Sequence, residues 1–125
     1  MPFPPDLQHF SAGEFSNPER MDVRFLRWLD RVRERANVPF HITNDFRGTG
    51  RSLHGLGMAV DVDSRPWNSA QKWRVVSAIV YLAPEAPGAV EFEPVWNDDP
   101  KLDRHWHIAV DPRVHAVGEF VERDD

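Results

Sequence analysis

Two segments of helical periodicity, Asn17 to Ala36 and Asn68 to Leu82, are interleaved with short β-branched runs, and this alternation most constrains the fold. In the first, Asn17 suits the cap and Pro18 the first helical position. Phe25, Leu26, Leu29, Val32 and Ala36 recur at three- and four-residue steps and predict the buried stripe, with Arg24, Arg27, Arg31 and Arg35 outward as a solvated face. Asn37-Val38-Pro39 ends that helix, because a residue preceding proline is pushed out of helical geometry. In the second, Asn68 or Ser69 caps, Trp73, Val76, Ile79 and Val80 are the expected apolar side, and Pro84 to Gly88 stops the helix.

The runs Phe40 to Thr43, Met58 to Asp63, Ala89 to Phe92 and His105 to Val110 read as strands. A last extended segment is expected at Val117 to Val121. Asn44 to Gly57, with four glycines, reads as a loop, and Asn97, Asp98, Asp99 and Pro100 as a polar turn. Short strands with hairpin-length connections predict an α+β fold, a small antiparallel β-sheet flanked by helices. A length of 125 residues fits one domain, 1–125, with a core of about 15–112 and a flexible N-terminal segment 1–14.

No cysteine is present, so a metal site would have to use His, Asp or Glu, and thiol nucleophiles are excluded. The net charge of -5 with interspersed signs leaves no basic stripe, which argues against a nucleic-acid partner. No run approaches the roughly 20 apolar residues of a membrane span. The start, MPFPPDLQHF, lacks the pattern of a signal peptide, so the expected product is made in the cytoplasm, and nothing demands more than a monomer.

Chemistry-bearing residues concentrate in two places: Ser52 to Asp61, and His105-Trp106-His107 followed by Asp111. Residues two apart on a strand share a face, so His105 and His107 can point into one cleft while Trp106 and Ile108 pack behind. On the earlier strand Asp61 and Asp63 lie opposite Val60 and Val62. His54, Asp61 and His107 form a set that suits a catalytic zinc, which takes three protein ligands and keeps one position open. Gly55 and Gly57 would let the intervening loop turn back so that His54 and Asp61 converge. His9, His41 and His115 are expected to be ordinary histidines, and Asp63, Asp98, Asp99 and Asp111 turn or cap residues.

Ser52-x-His54-x-x-Gly57-x-Ala59-x-Asp61 resembles the zinc motif of the D-alanyl-D-alanine carboxypeptidases and their phage endolysin relatives. His105-x-His107 is similar to the H-x-H motif of the wider superfamily with lysostaphin-type endopeptidases and hedgehog domains. Val38 to Arg47 is similar to the strand and Tyr/Phe-Arg step that precede the zinc motif there, and the likeness runs over roughly Phe15 to Pro112.

The resemblance implies one zinc per chain on His54, Asp61 and His107, a hydrolase acting on peptidoglycan stem or cross-bridge peptides, and Arg47 facing a substrate carboxylate. A guanidinium grips a carboxylate bidentately, which suits that role; Arg51 is a nearby competitor. Ser52 is a further candidate at the substrate, or a hydrogen-bonding residue within the metal loop. Relatives often carry an acid three residues before the last zinc histidine. Here Arg104 stands at that position and Asp103 just before it. Asp103 is therefore the candidate base, with His105 sharing the proton transfer or steadying the oxyanion, and Glu91 or Glu93 next in line. A zinc-bearing binding module of the hedgehog type is the alternative. A phage lysin, released to or delivered to the cell wall, also suits the missing signal peptide.

Overall fold

The computed structural model describes residues 3–46, 52–96 and 104–114. The first helix, α1 (Val23–Ala36), begins later than the periodicity suggests. Asn17 and Pro18 instead open a separate 3₁₀ turn (Pro18–Arg20), after which the chain is extended at Met21. The physical reason is Asp22, whose carboxylate caps the helix by accepting from the Arg24 and Phe25 amides at 2.8 and 3.3 Å. At the other end Asn37 takes the left-handed conformation (φ 54°) and returns its N–H to the Arg33 carbonyl. The expected stripe is buried, joined by Trp28, and Arg24, Arg27, Arg31 and Arg35 face outward.

The second helix, α2 (Ser69–Leu82), is capped by Asn68, whose side chain accepts from the Gln71 amide while Gln71 reaches back to the Asn68 amide. Its buried face differs from the expected one. Lys72, Val75, Ala78, Ile79 and Leu82 face inward, whereas Trp73 and Val80 are 61% and 51% exposed. The helix is apolar on most sides, so periodicity alone does not select a face; packing against α1 does, and the Trp28 indole donates to the Leu82 carbonyl at 2.9 Å.

Four strands, β1 (Ile42–Asn44), β2 (Ala59–Asp63), β3 (Ala89–Glu93) and β4 (His105–Asp111), form an antiparallel sheet in the order β1-β2-β4-β3. With the helices flanking this sheet, the fold is α+β as expected. Phe40, expected in the first strand, instead packs in the core against Trp67. Val60, Val62, Val90, Trp106, Ile108 and Val110 join α1 and α2 in one continuous core, with Phe92 packed against it. The alternate residues of the same strands, Asp61, Glu91 and His107 among them, are left on the other face.

Residues 3–14, expected as a flexible arm, lie against the domain. Phe10 is buried, Phe3 and Leu7 pack on the core, and the buried Asp30 carboxylate accepts from the amides of Gln8, His9 and Phe10. The Val117 to Val121 segment, the turn from Asn97 to Pro100 and His115 lie outside the described residues. No helix among the described residues is long and apolar enough to cross a membrane.

Candidate metal centre

The ladder between β2 and β4 puts Asp61 directly opposite His107, and both alternate with core residues, so both side chains leave the sheet on its non-core side. His54 arrives from a 3₁₀ turn (His54–Leu56). Two small residues make room for that turn: Ala59 and Ala109, paired across the ladder, form a buried cluster with Leu53, which brings the backbone of the loop down onto the sheet. Gly57 completes the turn at φ 70°, and a Cβ there would run into the backbone of Arg20 to Asp22. The Asp22 amide donates to the Gly57 carbonyl at 3.0 Å, so the loop is tied to the start of α1.

His54, Asp61 and His107 converge: one ligand atom from each lies within 4.8 Å of the others, a group able to hold a metal ion. Asp61 Oδ1 is 3.5 Å from His54 Nε2 and 3.1 Å from His107 Nδ1. The other carboxylate oxygen, Oδ2, accepts from the Asn44 amide group at 3.3 Å. His54 Nδ1 sits 2.7 Å from the Asp45 carbonyl, which can only accept, so Nδ1 carries the proton and Nε2 presents its lone pair. That Nε2 is buried and has no hydrogen-bond partner among the described residues. A buried, unsatisfied acceptor is costly unless something fills the place beside it, and a borderline cation does so. The donor set of two imidazoles and one carboxylate therefore fits a metal.

Electrostatics support the same site. Burial alone would raise the Asp61 carboxyl, but the hydrogen bond and charge from His107 outweigh it and hold the group well below the usual carboxylate range. For His107, burial would lower the imidazole, yet the Asp61 hydrogen bond and charge, helped by Glu91 and Glu93, raise it above 6.5.

The remaining sequence candidates fall as follows. His105 lies on the same face of β4 as His107, exposed, with Nδ1 2.7 Å from the Thr43 hydroxyl. Ser52 accepts from the Gly55 amide at 3.1 Å, a bond inside the metal loop. Glu91 reaches the ligand group, its Oε1 3.4 Å from His107 Nε2, whereas Glu93 is exposed. Arg47, Arg51 and Asp103 lie outside the described residues. Asp63 and Asp111 end strands β2 and β4, and each caps the turn that follows by accepting from the backbone amide two residues on, at Arg65 and Arg113, and from that arginine's guanidinium.

Asn44 and Asp45 carry no signal in the sequence. Both stand just ahead of the Phe46-Arg47 step, and neither residue type announces a supporting role beside a metal. Asp45 is buried, its carboxylate accepting from the Asn17 amide at 2.8 Å, which fixes the carbonyl that orients His54. No protein-family model, curated protein or solved structure matches the chain.

Proposed function

We propose that the protein is a zinc-dependent peptidase acting on peptidoglycan stem or cross-bridge peptides. The observation that carries this reading is the convergence of His54 Nε2, Asp61 and His107 at a place where the buried histidine nitrogen has no partner among the described residues. Zinc bound there would act as a Lewis acid, activating water and polarising the scissile carbonyl. The chain's own residues do the rest. Asn44 fixes the free oxygen of Asp61, and the Asp45 carbonyl keeps the His54 proton on Nδ1. His105, oriented by Thr43 on the same strand face as His107, is placed to steady a developing oxyanion or to pass a proton. Asp103, two residues before His105, is the carboxylate assigned to take the proton from water. Arg47 would anchor a peptide carboxylate.

The substrate class rests on the likeness of Ser52 to Asp61 and His105 to His107 to the cell-wall peptidases. The zinc-loaded protein should release new amino groups from purified peptidoglycan, read by mass spectrometry, and a chelator should stop it. Intact peptidoglycan after prolonged incubation with zinc-loaded protein would favour the second reading, a zinc-bearing binding module. One observation favours that alternative: Arg104 occupies the position where relatives carry an acid, and its carbonyl is committed to the Ser64 amide and hydroxyl at 3.0 and 2.8 Å.

A further inference from the structure

We propose that Glu91 is a positioning residue for the metal centre, holding the His107 ring so that Nδ1, and not Nε2, meets the cation. The inference rests on the metal reading above and concerns how one ligand is made ready.

The two ring nitrogens of His107 face different carboxylates. Nδ1 is 3.1 Å from Asp61 Oδ1, on the side where His54 Nε2 also lies. Nε2 is 3.4 Å from Glu91 Oε1. A neutral imidazole has one N–H and one lone pair, so a group that accepts from one nitrogen directs the lone pair to the other. In the metal-free ring Nδ1 itself donates to Asp61; once a cation takes the place of that proton, the carboxylate at Nε2 keeps the remaining N–H and leaves Nδ1 as the ligand, on the side where Asp61 and His54 converge.

Register explains how Glu91 reaches. On β3 it pairs with Ala109, and His107 is two residues along β4, the diagonal neighbour. Because Ala109 is small, the Glu91 side chain can cross above it toward the ring. Glu93 is directly opposite His107 yet exposed, so a carboxylate with the nearer register position does not take the role. The Glu91 carboxyl is largely covered, and its Oε2 is buried without a partner among the described residues. A buried carboxylate of this kind is expensive to keep unless it serves a nearby positive charge, and a cation on His107 supplies one through the ring. His54 is oriented by a backbone carbonyl that no substitution removes. Glu91 is thus the side chain through which the orientation of a ligand can be tested.

The test uses zinc alone as the probe, titrated against a chromophoric chelator into the full chain and its Glu91→Gln, Glu91→Ala and Glu93→Gln variants. Both Glu91 variants should bind zinc about 10- to 100-fold more weakly, the range typical for partners of metal-bound histidines, while Glu93→Gln should match the parent. In the zinc-loaded parent, long-range proton–nitrogen spectra should show the His107 proton on Nε2. Parent-like affinity in both Glu91 variants, or a His107 that keeps its proton on Nδ1 while zinc is bound, overturns the proposal and leaves the metal site standing. A parent that takes up no zinc overturns the metal reading itself, and this proposal with it.

Discussion

Asp61 and His107 meet across the β2–β4 ladder, Oδ1 to Nδ1 at 3.1 Å, although 46 positions separate them in the chain. His54 closes on the same oxygen from a third element. A cation held here would thus couple two neighbouring strands and the loop that precedes one of them.

Removing one of three ligands should abolish stoichiometric binding. His54→Ala is expected to purify without zinc while keeping its far-ultraviolet circular dichroism, because the ring belongs to a short turn and lies outside the main core. Elemental analysis decides: one zinc per chain retained in the variant contradicts the ligand assignment.

Proton and metal compete for His107. Its imidazole is raised above the ordinary 6.5, so in the metal-free protein it still holds its proton where a free histidine would have lost it. The stability it gains from Asp61 is fully present below about 6.5 and is lost as pH rises through the raised value. For Asp61, held low, the contribution is present above about 4 and is lost only as pH falls through its depressed value. Zinc needs the deprotonated ring, so its affinity should fall by up to about tenfold per pH unit below the His107 titration and level off above it. The rise in melting temperature on adding zinc should accordingly grow from about pH 5 to about pH 8; a rise that shrinks over that range would contradict the assignment.

The proton-transfer roles separate by metal content and rate. His105→Ala and Asp103→Asn should each keep zinc and lose about 10²- to 10⁴-fold in turnover on a cell-wall peptide. Full turnover in Asp103→Asn would pass the base role to another group.

Gly57→Ala tests the metal loop as a piece of architecture. The left-handed conformation costs a non-glycine residue about 1–2 kcal/mol, and the added methyl also meets the Arg20 carbonyl. Denaturant melts of the metal-free protein should show at least that loss, with zinc binding weakened as well, since His54 and Gly57 belong to one turn.

Much of the fold and of the site is legible in the amino-acid sequence itself. The alternation along Met58 to Asp63 and His105 to Val110 separates ligands from core residues, and the spacing of His54 and Asp61 around two glycines names the loop. What stays hidden depends on contacts distant in sequence. The inward face of α2 is chosen by α1, since Trp73, Val76 and Val80 have the same apolar character as Val75 and Ile79. The start of α1 turns on which of two good capping residues, Asn17 or Asp22, has an unbroken helix ahead of it. Glu91 is visible as a carboxylate on a neighbouring strand, but its bearing on His107 requires the β3–β4 register, which no local pattern writes.

On the three strands β2, β3 and β4, the residues at the candidate metal site have odd numbers and the residues of the main core even ones: 61, 91, 105 and 107 against 60, 62, 90, 106, 108 and 110. The sheet thereby stores two independent messages in one stretch of chain. A library randomised at Glu91, Glu93, His105 and His107 would explore new chemistry on an unchanged foundation, whereas the same effort spent one position over would yield mostly unfolded protein.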